Sequence, residues 1–223
     1  MKKVFISLAL ILLVQSWLPE RASAVKNDFG EWNFTTINLP LGEKFFIQEL
    51  INTRVNDNMS DLALFFTRTG LAYRLNKHTS LWVGYDWFAI FNEPFTHENA
   101  VWGQVMVNHE LAGNRIMHRL RQEHNFIPHD EDVPTLRYML RLDRDMPLVK
   151  NEKFTFITWD EAFVNYNDNR GVPAGFAQNR YFIGGGYRVN NNLALELGYM
   201  LQHVINDEDS LNHWILTNIV IDI

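Results

Sequence analysis

Residues 192–204, NLALELGYMLQHV, decide the fold because their side chains alternate between two classes. On an extended chain one face would carry Leu193, Leu195, Leu197, Tyr199 and Leu201, and the other Glu196, Gly198, Met200 and Gln202. Successive side chains of a β-strand point to opposite sides, so this pattern predicts a strand with one apolar and one more polar face.

The same alternation recurs along the chain and defines eleven candidate strands. They are 29–39, 45–56, 62–76, 79–92, 100–112, 115–127, 135–146, 154–167, 178–190, 192–204 and 210–223. Strands of soluble proteins usually have about 5–6 residues, whereas a tilted membrane strand needs about 9–11. The longer segments found here therefore predict an all-β fold, a single antiparallel up-and-down transmembrane β-barrel spanning residues 25–223.

The connections between these strands alternate in length. Short turns at 39–44, 76–79, 112–115, 148–153 and 190–192 alternate with longer polar links at 56–61, 91–99, 127–134, 167–177 and 205–210. Bacterial outer-membrane barrels have this rhythm, but they normally contain an even number of strands. Because eleven is odd, the expected barrel has about 10–12 strands.

Aromatic residues and glycines mark two further features of the candidate strands. Trp82, Tyr85 and Trp87, together with Tyr73, Tyr181, Tyr187 and Tyr199, are assigned to the lipid-facing side, as in the aromatic girdles of membrane barrels. The run Gly184-Gly185-Gly186 lies inside a strand and indicates a bend or a close approach of another group.

The N-terminus has the organisation of a cleaved signal peptide. Met1-Lys2-Lys3 is a positive start, 4–14 is an apolar run, and Ala22-Ser23-Ala24 is a small-x-small cleavage site. The apolar run is shorter than the roughly 20 residues that a membrane helix needs. We therefore expect residues 1–24 to be removed during export and the rest to reach the cell outer membrane of a Gram-negative bacterium, with outer-membrane lipids and the barrel-assembly machinery as partners.

Composition narrows the functional classes. The chain has 223 residues, 47% of them apolar, no cysteine and a formal net charge of −6. The absence of cysteine rules out disulfides and thiolate metal sites. The acidic balance, without a basic patch in the sequence, argues against a nucleic-acid partner.

The polar faces of the predicted strands are rich in arginine. The residues expected to line the lumen are Arg54, Arg74, Arg119, Arg121, Glu123, Arg137, Arg141, Asp143, Glu161, Asn179, Arg180 and Glu196, with Arg68 and Asp86 on the same face. Opposite charges on neighbouring strands would pair across the ladder. Arginine suits such pairs because its planar fork binds carboxylates in bidentate fashion.

Two interpretations of this interior remain open. A small barrel can fill its own lumen with a lattice of ion pairs, which would be a purely structural role. Alternatively, excess positive charge would line a narrow, porin-like passage that favours anionic solutes. The sequence does not identify the solute.

Catalytic and metal-binding patterns are weak. No serine lies in a Gly-x-Ser-x-Gly turn, and the nearest serine–histidine pair in sequence is Ser210 with His213. His129 followed by Asp130-Glu131-Asp132 fits a solvated acidic loop better than a cation site. No catalytic residue, metal site or cofactor is predicted. An outer-membrane lipid or lipopolysaccharide hydrolase and a soluble periplasmic ligand-binding β-barrel remain alternatives.

A series of short motifs resembles a known family. In order they are Trp32, Arg54-Val-Asn-Asp, Tyr73-Arg-Leu-Asn, Leu81-Trp-Val-Gly-Tyr, Arg119-Leu-Arg-Gln-Glu-His, Leu136-Arg-Tyr-Met-Leu-Arg, Asp160-Glu-Ala-Phe, Gln178-Asn-Arg and Leu195-Glu-Leu-Gly-Tyr. Together they resemble the bacterial domain of unknown function 2490. The resemblance implies an outer-membrane barrel with no assigned activity and a polar face that includes Arg119, Glu123, Arg137, Arg141, Glu161, Asn179 and Arg180. Ile223 departs from it, because a terminal aromatic residue is typical of outer-membrane strands.

Overall fold

A computed structural model describes residues 26–91, 94–128, 132–146, 153–168, 173–205 and 209–223. The proposed signal peptide, residues 1–24, lies outside these ranges. The described chain forms eleven strands: β1 (Lys26–Leu41), β2 (Phe45–Asn56), β3 (Asp61–Arg74), β4 (Thr79–Ile90), β5 (Thr96–Leu111), β6 (Asn114–Phe126), β7 (Val133–Asp145), β8 (Phe154–Asn165), β9 (Gly175–Arg188), β10 (Leu193–Val204) and β11 (Ser210–Asp222). The eleven candidate segments correspond to these strands, with boundaries that differ by up to four residues.

The strands form a closed barrel in which each pairs with its neighbours in sequence, and β1 closes on β11. Every consecutive pair is antiparallel, as predicted. The closing pair is parallel, with a register running from Lys26 opposite Ser210 to Asn38 opposite Asp222. An odd number of alternating strands gives the first and last strand the same direction. The expectation of an antiparallel barrel therefore holds for ten of the eleven ladders and is corrected at the closure.

The two ends of the barrel differ. One end, here called the turn end, carries the links that follow β1, β3, β5, β7 and β9, together with the end of β11. The opposite loop end carries the other five links and the start of β1. The link after β7, residues 146–153, is longer than its four companions at the turn end. No helix in the described parts of the chain is long and apolar enough to cross a membrane.

The outer face of the barrel is largely apolar. Val83 is 62% exposed and Leu197 is 59% exposed. Further exposed apolar side chains include Leu71, Leu81, Tyr85, Val101, Val105, Leu120, Tyr138, Ile183, Leu195, Tyr199 and Ile219. Polar side chains on this face pair with one another, as Thr69 does with Glu49 (2.5 Å) and Tyr199 with His213 (2.5 Å).

The inner face holds both apolar and charged side chains. One buried apolar cluster consists of Trp32, Ile157, Phe182, Met200, Trp214 and Leu216, and another of Ala72, Trp82 and Trp102. The prediction that Trp82 faces lipid is therefore wrong, because its side chain is only 6% exposed and belongs to the second buried cluster. The alternation already contained this information, since Trp82 is four residues from inward Asp86 and even separations share a face.

The Gly184-Gly185-Gly186 run is a site of close approach, one of the two expectations for it. Gly184 lies opposite Gly198 in the β9–β10 ladder, and the ring of Phe182 covers both glycines. A Cβ atom built on Gly184 would lie 2.6 Å from Phe182 Cζ and 2.5 Å from the Leu197 carbonyl oxygen. The two glycines therefore make room for a ring that is 1% exposed.

Candidate functional site: the barrel lumen

The inner face lines a cavity on each side of the barrel's middle. The loop-side cavity has a volume of about 590 Å³ and reaches Asn125 and Asn165 near the loop end. The turn-side cavity has a volume of about 720 Å³ and reaches Asn76 and Asp222 at the turn end. The two share the wall residues Thr36, Met117, Arg119, Arg141, Glu196 and Asn218. These six residues, here called the waist, lie at the level where the two cavities meet.

Glu161 on β8 is the centre of a buried ion-pair network. It is 2% exposed and accepts hydrogen bonds from Arg119 Nη2 (2.7 Å) and Arg137 Nε (2.9 Å). Arg137 also donates from Nη1 to Glu123 Oε2 at 2.8 Å. One carboxylate therefore compensates two guanidinium groups, and one guanidinium bridges two carboxylates.

Asp86 on β4 extends this network to the neighbouring strands. Its carboxylate is fully buried and accepts hydrogen bonds from Arg68 Nε (2.9 Å) and from the indole of Trp102 (2.6 Å). Arg68 also lies 3.5 Å from Glu123, which joins the Asp86 pair to the Glu161 network. Charge-assisted bonds of this kind are stronger than neutral ones, and here they connect β3 through β8.

The waist is built around a second network. Arg141 donates to Asp143 at 2.8 Å and to Glu196 at 2.6 Å. Asn218 donates to Glu196 at 3.1 Å and accepts from Thr36 at 3.0 Å. Because Arg141 is on β7 and Glu196 is on β10, this pair spans strands that are not neighbours in the sheet.

Two arginines of the loop-side cavity are held differently. The guanidinium carbon of Arg54 lies 4.0 Å from the ring centre of Trp32, and that of Arg180 lies 4.7 Å from the same ring. Phe163 lies 4.6 Å from Arg180. Neither arginine pairs with a carboxylate among the described residues, and Arg54 Nε is buried without a hydrogen-bond partner. These cations therefore lie against aromatic faces, which attract them more weakly than a carboxylate would.

The structure brings most of the residues expected in the lumen onto the inner face. The cavities are lined by Arg54, Arg74, Arg119, Arg121, Glu123, Arg137, Arg141, Glu161, Arg180 and Glu196, and Asp143 bonds to Arg141 inside the barrel. Asn179, which the sequence predicts in the lumen, is not on the inner face. It alternates with inward Arg180, so its side chain lies on the outer face, where it donates to Asp160 at 3.1 Å.

The aromatic part of the lumen was not anticipated from the sequence. Trp32, Trp102 and Phe163 hold arginine side chains in place, whereas the residues predicted from the sequence to line the lumen are all polar. Trp102 illustrates the available signal, since it lies two positions from Gln104 on β5 and therefore on the same face, with the guanidinium carbon of Arg121 4.1 Å from its ring centre. An apolar residue that shares a face with inward charges is itself inward.

The candidate serine–histidine pair does not form a catalytic arrangement. Ser210 and His213 are separated by three positions on β11, and an odd separation places their side chains on opposite faces. The described residues contain no group of three or more histidine, aspartate or glutamate side chains placed to hold a metal ion. The loop that contains His129, Asp130 and Glu131 lies outside the described ranges.

Comparisons with known proteins identify a family and a distant relative. The model of the family described as a protein of unknown function, DUF2490, matches residues 29–212. An uncharacterized protein of Methylorubrum extorquens is 29% identical over 195 residues, which are 82% of this chain and 82% of that protein. No solved structure matches the chain.

Proposed function

Because the chain belongs to the family of unknown function DUF2490, whose description names no activity, we propose its function from the geometry of the barrel. The protein is an outer-membrane β-barrel whose arginine-lined lumen forms a narrow passage for small anions. The observation that carries this proposal is the combination of an apolar outer face with a cationic inner one.

The outer face supports the membrane location. Its exposed apolar side chains lie on strands of 12 to 16 residues, which exceed the 9–11 or so that a tilted strand needs to cross a bilayer. Contiguous apolar surface of this kind is rare on soluble monomers. A lipid environment would cover it, with polar outer side chains such as Asn179 and Asp160 satisfied by each other.

The inner face supports anion preference and a narrow bore. Arg54 and Arg180 add positive charge that the described carboxylates do not pair with, so the loop-side cavity is attractive to anions. At the waist, Arg141 and Glu196 cross the lumen between nonadjacent strands. Solutes that pass this level must be small or must displace the pair.

Cell fractionation tests the location. We expect the protein in the detergent-extracted outer-membrane fraction, migrating differently on gels before and after heating because a folded barrel resists denaturation by detergent. Release of the protein by osmotic shock would instead indicate a soluble periplasmic barrel and would overturn the membrane part of the proposal.

Planar-bilayer recording tests the passage. The folded protein is expected to give small, anion-selective currents. Arg141→Gln should lower the anion-to-cation permeability ratio because it removes a positive charge from the waist, and Glu196→Gln should raise it for the opposite reason. The readout is the reversal potential in a salt gradient.

A matched control separates lumen charge from total charge. Arg144 alternates with Arg141 and Asp143 on β7 and therefore faces outward, so Arg144→Gln should leave the permeability ratio unchanged. If the folded wild-type protein gives no current above background, the passage is refuted and the lattice has a structural role. If Arg144→Gln and Arg141→Gln shift the ratio equally, the lumen does not set selectivity.

A further inference from the structure

We propose that Arg54 and Arg180 form a binding site for the oxyanion group of a small amphipathic ligand, a carboxylate or phosphate attached to an apolar body, in the loop-side cavity. The inference deepens the proposed function, since it names the ligand class that the lumen recognises. It needs the folded barrel but not an open waist.

The site is assembled around one fixed indole. Trp32 on β1 donates from Nε1 to Asn52 Oδ1 at 2.5 Å. Asn52 is 1% exposed and donates in turn to the Asn33 carbonyl oxygen at 2.8 Å. The ring is therefore held by a buried amide, and it positions the guanidinium groups of Arg54 and Arg180 within 5 Å of its centre.

The two arginines differ from the other buried arginines of the lumen. Each of the latter has a carboxylate partner: Asp86 for Arg68, Glu161 for Arg119, Glu123 for Arg121 and Arg137, and Glu196 for Arg141. Arg54 and Arg180 form no direct ion pair within the described ranges, although Glu161 lies opposite Arg180 in the β8–β9 ladder. Burying a charge without a counter-charge is unfavourable, and an anion held between them would supply it.

Donor atoms are available for such an anion. Arg54 Nε is buried and has no hydrogen-bond partner. The Gln178 amide, oriented with its oxygen toward Arg180, accepts from Arg180 Nη2 at 2.9 Å, which anchors that side chain through a neutral group. A guanidinium presents parallel N–H donors that match the spacing of carboxylate and phosphate oxygens.

The walls of the cavity define the rest of the ligand. Next to the two arginines the cavity is lined by Phe34, Leu50, Leu64, Phe66, Phe163 and Met200. Its volume of about 590 Å³ lies in the usual range of small-molecule sites, about 300–1,000 Å³. A ligand that neutralises the arginines and covers these side chains has one anionic end and one apolar end.

Isothermal titration of the full-length folded barrel in a non-ionic detergent tests the site. The probes are benzoate, phenyl phosphate, inorganic phosphate and benzamide. We expect benzoate or phenyl phosphate to bind, with whichever binds more tightly identifying the anionic group. Benzamide, which has the same shape without charge, should bind at least tenfold more weakly. The amphipathic anion site would be contradicted if benzamide bound as tightly as benzoate, or if inorganic phosphate bound as tightly as phenyl phosphate.

Matched variants locate the site. Arg54→Gln and Arg180→Gln should each weaken binding at least tenfold, whereas Arg74→Gln, which removes the same charge from the turn-side cavity, should not change it. The first two variants are expected to fold, because each removes a buried charge that forms no ion pair with a described carboxylate. Heat-modifiable migration checks folding. The tighter-binding of benzoate and phenyl phosphate should raise the denaturant midpoint of the wild type and of Arg74→Gln but not of the Arg54→Gln/Arg180→Gln double variant.

The outcomes separate this inference from the proposed passage. Binding that depends on Arg54 and Arg180 without any bilayer current would support the site and refute the passage. Anion-selective current without binding of any probe, or with equal losses in Arg74→Gln and Arg180→Gln, would refute the site and leave the passage standing.

Discussion

Replacing Glu161 with glutamine is expected to lower the free energy of unfolding by about 3–5 kcal/mol, the usual cost of removing one partner from a buried ion pair. The side chain keeps its shape but loses its charge. Arg119 then has no carboxylate partner among the described residues, and Arg137 retains only Glu123. Denaturant titration of the barrel refolded into lipid vesicles, followed by tryptophan fluorescence, measures the loss.

The control for Glu161 is a solvent-exposed pair of the same type. Arg115 and Asp145 form a bidentate pair with distances of 2.7 and 2.9 Å, and their side chains are 44% and 56% exposed. Asp145→Asn should therefore cost less than about 1 kcal/mol. The double variant Arg119→Gln/Glu161→Gln should be more stable than Glu161→Gln alone, because it removes the stranded cation. If Asp145→Asn and Glu161→Gln lower the free energy of unfolding by similar amounts, burial of the ion-pair network contributes little to stability.

Gly184→Ala is expected to destabilise the barrel by about 1–3 kcal/mol, the usual cost of overpacking a core. The new methyl group would meet the Leu197 carbonyl oxygen at 2.5 Å and the Cα of Gly198 at 2.8 Å. These are backbone atoms of a ladder, so they cannot move aside without disturbing the β9–β10 pairing. The Phe182 ring, at 2.6 Å, would also have to leave its slot.

The neighbouring residue supplies the control for this prediction. Gly185 faces the opposite side of β9, and a Cβ atom there would have its nearest contact at 3.7 Å, with the Thr155 carbonyl oxygen. Gly185→Ala should therefore leave the denaturant midpoint of unfolding unchanged or raise it, since alanine reduces the entropy of the unfolded chain. If the two substitutions destabilise the barrel equally, the loss of stability comes from replacing a strand glycine as such and not from crowding of the Phe182 ring.

The strands and their faces could be predicted because alternation is a local property. Leu195 and Glu196 can be assigned to opposite faces from the sequence of their own strand, and so can Tyr138 and Arg137, without knowing which strands lie next to them. The same rule would have placed Asn179 outside and Trp82 inside. Those two errors came from selecting residues by polarity, not from a lack of information in the sequence.

The pairing of charges could not be predicted in the same way. Neighbouring strands account for Arg68 with Asp86, which are direct ladder partners. Arg119 reaches Glu161 across an intervening strand, and Arg141 reaches Glu196 from β7 to β10. Such contacts depend on barrel curvature and on which side chains fill the bore, and neither is encoded in the spacing along one strand. For the same reason, the sequence could not reveal that Arg54 and Arg180 form no ion pair with a described carboxylate.

The parallel closure of β1 on β11 also has a consequence for the order of folding. Every other ladder joins strands that are consecutive in the chain, whereas Thr36 and Asn218 bond across 182 residues. Closing so long a segment costs chain entropy before any contact repays it, and a parallel ladder is slightly less stable per residue than an antiparallel one. The ten hairpin ladders can therefore assemble as a curved open sheet, with the seam formed last and its amides the first to exchange with solvent.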